Sequence, residues 1–235
     1  MMKATSSDAA FFNQRSLTFL RQLARNNEKA WFQAHRADYE AFVREPFERL
    51  LVVLQPALEK VSPQFRADPA RVGGSLFRIH RDARYSNDKS PYKSWQGARL
   101  YHVRRREVPT PAFYLHLQPG ESFIGAGIWH PEPEVLRGLR DFVFENPASW
   151  DAAAHAPAIR KQFALLDSEK LVRPPRGYPA DFRFIEDLKL RNFVLWRPLD
   201  DATMIAPGLD RRIARDLRAL APFMDYLCAA LDLEF

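Results

Sequence analysis

Basic side chains are concentrated in one short part of the sequence, residues 78–106. Of the chain's 35 Lys and Arg residues, nine lie in this segment, against two of its 29 Asp and Glu residues. These residues are Arg78, Arg81, Arg84, Lys89, Lys93, Arg99, Arg104, Arg105 and Arg106, with Asp82 and Asp88 as the two acids. A local excess of positive charge attracts phosphate and carboxylate groups. The segment is therefore the first candidate for an anion-binding site.

The residue types in the first part of this segment suit the recognition of a phosphate group. Arg presents a planar fork of donors, Lys supplies a point charge, and Ser and Tyr hydroxyls add neutral donors. We expect a cleft in which Ser86 donates a hydrogen bond, Tyr85 and Tyr92 form the walls, and Asp82 orients the guanidinium groups. The predicted ligand-binding residues are Arg78, Arg81, Asp82, Arg84, Tyr85, Ser86, Lys89, Tyr92 and Lys93. The predicted partner is a phosphate-bearing small molecule, such as a nucleotide, or a nucleic acid.

The spacing of these residues also follows a known pattern. From Arg78 to Gly97 the sequence reads R-x-x-R-D-x-R-Y-S-x-x-K-x-P-Y-K-x-x-x-G. This pattern resembles the signature of a widespread bacterial family called domain of unknown function 2461, and the likeness continues at residues 19–20, 125–129 and 188–193. The resemblance implies a compact α+β domain and an important role for the segment. It implies neither a reaction nor a ligand.

Two other functions of the same segment stay open. In one, the segment is a structural brace, in which Asp82 pairs with neighbouring cations and the tyrosine rings pack inward. In the other, the protein is an enzyme that acts on a phosphoryl or glycosyl substrate, with Asp82 or His80 as the acid or base. Two acids within the segment cannot neutralise nine bases, although acids from elsewhere in the chain can contribute. Ion-pair networks also imitate functional sites, so the sequence leaves all three functions open.

Residues around the main motif could enlarge a binding surface. The Arg104–Arg106 triplet is typical of a solvated loop, but it would extend the phosphate contacts of a nucleic-acid ligand. Aromatic residues interleave with the bases and could stack on nucleobases, although aromatic residues in sheets more often belong to the core. These residues are Tyr85, Tyr92, Trp95 and Tyr101.

Metal-binding patterns are weak in this sequence. His80, His102 and His116 could converge across neighbouring strands, but no histidine pair has the spacing of a helical zinc site. Asp181 followed by residues 187–189 is similar to the acid and lysine set of metal-dependent nucleases. Their short separation favours solvated charges instead. We predict no metal site and no cofactor.

The surrounding sequence predicts the elements that hold the basic segment. Alternating apolar residues predict strands at 76–82, at 97–103 and on both sides of the turn at 119–121, and an apolar run at 193–196 predicts a buried strand. Helical spacing predicts a helix after a Ser16 N-cap, one near Asn27 and one opening at Pro46. It also predicts helices at 134–145, 147–164, 201–206 and 209–232, the last interrupted near Pro222.

This order of elements predicts an α+β fold. We expect an antiparallel twisted sheet of about four to six strands packed with helices on one side, and helical N- and C-terminal segments. Residues 1–15 are predicted to be a flexible N-terminus, and residues 16–235 a single domain. The only cysteine, Cys228, excludes an internal disulfide and a cysteine-rich zinc site. Without a leader pattern or a long apolar window, we expect a cytoplasmic protein that does not enter a membrane.

Overall fold

The computed structural model describes residues 9–82 and 88–235. Within these residues a six-stranded antiparallel sheet packs with N-terminal and C-terminal helices, which confirms the predicted α+β fold. The strands are β1 (Phe65–Arg66), β2 (Gln96–His102), β3 (Ala112–Leu117), β4 (Phe123–Ile128), β5 (Ala164–Leu165) and β6 (Phe193–Pro198). Their order across the sheet is β1-β2-β3-β4-β6-β5, so the three central strands follow the chain.

Helices form most of the remaining regular structure. They are α1 (Gln14–Arg25), α2 (Lys29–Ala34), α3 (Arg36–Tyr39), α4 (Glu45–Glu59), α5 (Pro133–Glu145), α6 (Pro147–Trp150), α7 (Pro157–Arg160), α8 (Ile185–Leu188), α9 (Asp201–Ile205) and α10 (Leu209–Ala229). A π-helical turn at Glu40–Arg44 joins α3 to α4, and a second one at Asp151–His155 follows α6. Across the described part of the chain, no helix combines the length and the apolar character needed to cross a bilayer.

The two faces of the sheet have different surroundings. Strand register places Ala98, Leu115 and Ile124 side by side on one face, where all three are buried against α4 and α10. We call this the helix-covered face. Side chains alternate along a strand, so Tyr114 and Trp196 point to the opposite face, which we call the outer face. Both of these rings are only partly buried.

The first helix begins earlier than the sequence predicted. Asn13 is its N-cap and accepts a hydrogen bond from the Arg15 amide, while the Ser16 hydroxyl accepts one from the Asn13 amide. Ser16 is therefore the third helical residue of a capping box, and not the cap. Phe12 is fully buried and packs edge-on against Phe47 at 5.0 Å. The folded chain thus extends N-terminal to residue 16.

Prolines have effects that the sequence pattern did not predict. Pro46 lies in the first turn of α4, as predicted, but α4 continues directly from the preceding π-helical turn without a break in the helical backbone. Pro222 lies inside α10 without ending it, because buried side chains on both sides, including Leu220 and Phe223, hold the helix on the sheet. The helix predicted at 147–164 is broken at Ala156, whose ψ of 139° is the extended conformation that a following proline favours.

Candidate functional site

The basic segment forms a two-stranded ladder beside the edge of β2. Residues 75–81 run antiparallel to residues 91–99, although they form isolated bridges and no continuous strand. The backbone hydrogen bonds run from the Phe77 amide to the Gly97 carbonyl (3.0 Å), from Arg81 to Pro91 (2.9 Å) and from Lys93 to Ile79 (2.8 Å). The strand predicted at 76–82 therefore exists only as this ladder. Residues 83–87, which include Arg84, Tyr85 and Ser86 of the predicted site, lie outside the described residues.

Tyr92 fixes this ladder to the N-terminal helices. Its ring is only 4% exposed and stacks on Phe32 of α2 with 4.1 Å between centroids. The Asn27 side chain donates to the Tyr92 carbonyl (2.9 Å) and accepts from the Tyr92 amide (3.0 Å). His80 lies opposite Tyr92 and contacts both rings. Tyr92 thus holds the ladder in place from the core side.

Lys93 lies close to two other cations of the segment, Arg78 and Arg81. Its ammonium group donates to the carbonyls of Arg78 (2.6 Å) and His80 (3.1 Å), and it lies 5.3 Å from the centre of the Trp95 ring. Partial burial lowers the pKa of Lys93, and the nearby charges of Arg78 and Arg81 lower it further. Arg78 and Arg81 are therefore both close enough to Lys93 to repel its charge.

The acids near these cations neutralise them only in part. Arg81 pairs with Asp88 at 3.1 Å, and its Nε atom is buried without a hydrogen-bond partner among the described residues. The Ser90 hydroxyl and amide bind the Asp88 carboxylate and lower its pKa. Arg78 is exposed and forms no ion pair with any residue that the structure describes. Asp82 and Lys89 are both exposed.

The last residue of the sequence pattern, Gly97, makes room for a tyrosine. A Cβ atom on Gly97 would lie 2.2 Å from the Tyr114 hydroxyl oxygen. That hydroxyl hydrogen-bonds to Nδ1 of His116 (3.0 Å), whose Nε2 bonds to Oε1 of Gln118 (2.9 Å). Since Oε1 of an amide only accepts, His116 carries its proton on Nε2 and accepts from Tyr114 at Nδ1. Burial lowers the pKa of His116 and so favours this neutral form.

Aromatic rings continue from the ladder across the outer face. We call this set the aromatic belt, and its members are Phe77, Trp95, Tyr114, His116, Phe123 and Trp196. Its ring centroids are 4.8 Å apart between Trp95 and His116, 4.7 Å between His116 and Phe123, and 5.9 Å between Phe123 and Trp196. Phe77 at the ladder end is 36% exposed. The belt therefore joins the basic ladder to the centre of the sheet.

A second group of cations lies further along β2 on the same face. The Arg105 guanidinium lies 3.2 Å from the centre of the Tyr101 ring and also bonds to the Gly73 carbonyl. Arg99 donates to the Thr110 carbonyl (3.3 Å), and burial, followed by the charge of Arg105, lowers its pKa. Of the predicted triplet, the first residue, Arg104, pairs with Glu107 at 3.0 Å.

The three histidines considered as metal ligands do not converge. Nε2 of His102 hydrogen-bonds to the Glu234 carbonyl, His116 belongs to the tyrosine network, and His80 packs against Tyr92. Across residues 9–82 and 88–235, no group of three or more His, Cys, Asp or Glu side chains has metal-binding geometry.

Sequence reasoning missed a histidine and aspartate pair beside α8. Nε2 of His155 lies 2.6 Å from an oxygen of Asp187, and the same oxygen accepts from the Trp150 indole (2.7 Å). Asp187 is therefore not a solvated charge, and Lys189 pairs with Glu186 instead (2.6 Å). The pair lines a cleft of about 540 Å³. His155 and Asp187 are far apart in sequence and follow no motif, so no local pattern indicated their contact.

Comparison with known proteins gives one match. A family model described as "Conserved hypothetical protein (DUF2461)" matches residues 15–226, which is nearly the whole chain. No curated protein and no solved structure matches the chain.

Proposed function

Because the chain belongs to the DUF2461 family, whose description names no activity, we propose a function from the geometry of the basic ladder alone. The proposed function is the binding of a phosphate-bearing ligand, a nucleotide or a nucleic acid, centred on Arg78, Arg81 and Lys93. One observation supports it above the others: the Lys93 ammonium group is held on the carbonyls of Arg78 and His80, beside an Arg78 side chain that is exposed and forms no ion pair with a described residue. An anion bound there would raise the pKa of Lys93, which burial and the charges of Arg78 and Arg81 lower.

The three cations supply complementary contacts. Arg78 is exposed and offers its guanidinium fork to solvent, while Arg81 is partly buried and pairs with Asp88. Lys93 is held by two carbonyls, so its charge is positioned before a ligand arrives. A preorganised charge loses less conformational entropy on binding than a flexible one. The remaining predicted residues, Asp82, Arg84, Tyr85, Ser86 and Lys89, complete the proposed site, and Tyr92 supports it from the core side.

A structural brace remains the second candidate. The Lys93 bonds to backbone carbonyls and the packing of Tyr92 on Phe32 both favour it, because they stabilise the ladder without a ligand. The two functions differ in what they require of Arg78. An exposed Arg without an ion pair to a described residue contributes little to stability, whereas a ligand would use it directly.

Replacement of Arg78 tests the proposal. We expect Arg78→Gln to weaken binding of ATP and of a fluorescein-labelled oligothymidylate about tenfold, because one charge-assisted contact is lost. Isothermal titration calorimetry and fluorescence anisotropy at low salt measure the two affinities. Arg173→Gln, which replaces another exposed arginine, is the matched control and should leave both affinities unchanged. The proposal fails if neither probe binds the wild-type protein, or if both variants bind with wild-type affinity.

A further inference from the structure

The aromatic belt indicates which class of phosphate-bearing ligand the site would bind. Resting on the proposed function, we propose that the protein binds single-stranded nucleic acid, with bases stacked on the belt and phosphates along the cations at its border. The occupant of the outer face is therefore an unpaired DNA or RNA strand, and not a free nucleotide or a duplex.

The outer face presents ring surface because glycines lie between the rings. Gly97 has no side chain beside Tyr114, and a Cβ atom there would overlap the tyrosine hydroxyl and ring. Gly125 on β4 pairs with Trp196 on β6, and a Cβ atom there would lie 3.0 Å from the Leu195 carbonyl oxygen and 3.3 Å from the Trp196 Cβ atom. Helices α4 and α10 pack on the other face of the sheet, so they do not cover the belt. Phe77 is exposed at the end of the belt, the rings of Trp95, Tyr114, Phe123 and Trp196 are partly buried, and His116 is buried.

The belt extends too far for a single base. Its rings lie on the ladder (Phe77 and Trp95, just before β2) and on β3, β4 and β6, which are neighbours in the sheet. Four strands at the usual spacing of about 4.8 Å cover about 14 Å. A free nucleotide occupies one ring surface, whereas an unpaired strand offers successive bases to successive rings. A duplex hides its base faces within the stack and gains nothing from such a surface.

Cations border the belt on the side where phosphates would lie. Lys93 is within 5.3 Å of the Trp95 ring centre, next to Arg78 and Arg81. Further along β2, Arg99 and Arg105 lie on the same face beside Tyr101. Aromatic rings next to a line of cations are the combination that binds single strands without strong sequence preference, since every base has a ring face and every nucleotide a phosphate.

Replacement of Trp95, whose ring lies beside the cations, separates the contribution of base stacking to binding from that of charge. Trp95→Ala removes ring surface and leaves Lys93 and Arg78 in place, whereas Trp95→Phe keeps a ring. The matched control is Trp129→Ala, because Trp129 is 59% exposed and follows the far end of β4. Circular dichroism shows whether each variant folds, and Phe77→Ala, at the more exposed end of the belt, tests the same surface if Trp95→Ala does not fold.

The probes are a labelled oligothymidylate on the order of 15 nucleotides long, a duplex of the same length and inorganic polyphosphate. We expect the single strand to bind most tightly, with affinity reduced about tenfold by Trp95→Ala, restored by Trp95→Phe and unchanged by Trp129→Ala. Polyphosphate affinity should not respond to Trp95→Ala. If polyphosphate or the duplex binds as tightly as the single strand, or the belt variants do not affect binding, the inference is wrong while the proposed function stands. If ATP, polyphosphate and the single strand all fail to bind, the proposed function is wrong as well.

Discussion

Individual side chains in the site depend on contacts that distant parts of the sequence supply. Gly97 ends the sequence pattern, but the reason for a glycine there is the Tyr114 hydroxyl on the next strand. Tyr92 ends buried because Phe32 and Asn27 lie opposite it. The sequence indicated which residue types matter in this segment. It could not indicate which of them face the ligand and which face the core.

Replacement of Gly97 by Ala tests the contact with Tyr114. We expect Gly97→Ala to lower the free energy of unfolding by about 1–3 kcal/mol, because the new methyl group overlaps the tyrosine hydroxyl. Adding Tyr114→Phe removes the overlapping oxygen and should recover part of the loss. Urea denaturation measures the free energy of unfolding of the single and the double variant. Gly138→Ala is the control, since nothing lies within 4 Å of that position in α5, and it should stabilise by about 0.5–1 kcal/mol. A Gly97→Ala protein as stable as the wild type would contradict the contact.

The buried, neutral state of His116 should make the stability of the protein depend on pH. Burial lowers its pKa in the folded protein below the ordinary value of 6.5, so the unfolded chain binds the proton more tightly. The resulting stability is present above pH 6.5 and is lost as the pH falls through the folded-state pKa. NMR titration of the imidazole should give a midpoint below 6.5. A midpoint at or above this value would show that the ring is not held neutral by its surroundings.

At the scale of elements, the ladder depends on the N-terminal helices as much as on β2. Local sequence predicted its first strand, at 76–82, because alternation is a short-range signal, but it did not predict the pairing of residues 91–93. The attachment at Asn27 is a long-range contact, and no pattern near residue 92 indicates it. The same limit explains why the sequence predicted an interruption of α10 near Pro222. The missing amide hydrogen of proline is visible in the sequence, but the packing around Pro222 decides whether the helix continues.

Asn27 provides the test of this attachment. Asn27→Ala removes both side-chain hydrogen bonds to the Tyr92 backbone, so the ladder should open locally more often. We expect faster hydrogen exchange at the amides of Arg81 and Lys93, with no change in β3. Asn26→Ala is the control, because the Asn26 side chain bonds only within the end of α1. Unchanged exchange in the ladder would show that Asn27 does not hold it.

At the scale of the whole molecule, one buried ion pair joins the sheet to the C-terminal helix. Arg197 of β6 donates to Asp216 of α10 at 2.6 Å, and Asp216 is only 4% exposed. Removing one partner leaves the other charge without compensation, so Asp216→Leu should destabilise by about 3 kcal/mol. The double variant Arg197→Met with Asp216→Leu should recover most of that loss. Equal urea midpoints for the single and double variants would contradict this account.

The overall fold was largely predictable, while the geometry of the site was not. Periodicity identified the hairpin of β3 and β4, the strand β6 and the helices α5 and α10, because each has a long apolar face. Beyond this hairpin, single-sequence patterns gave no order of the strands across the sheet. The aromatic belt follows from that order, since Trp196 meets Phe123 only when β6 pairs with β4. The concentration of charge was visible in the sequence, but the proximity of Arg78 and Arg81 to Lys93 was not.

The salt dependence of binding tests the central claim most directly. Anisotropy of the labelled oligothymidylate, measured across a series of salt concentrations, gives the slope of log affinity against log salt. For a single strand whose phosphates contact Arg78, Arg81 and Lys93, we predict that these three contacts give a slope of about −2, because each contact contributes about −0.7, and contacts with Arg99 or Arg105 would steepen it further. Arg78→Gln should make the slope shallower by about 0.7, and Arg173→Gln should not change it. A wild-type slope near zero, or one that Arg78→Gln leaves unchanged, would contradict a phosphate-binding site at these three cations.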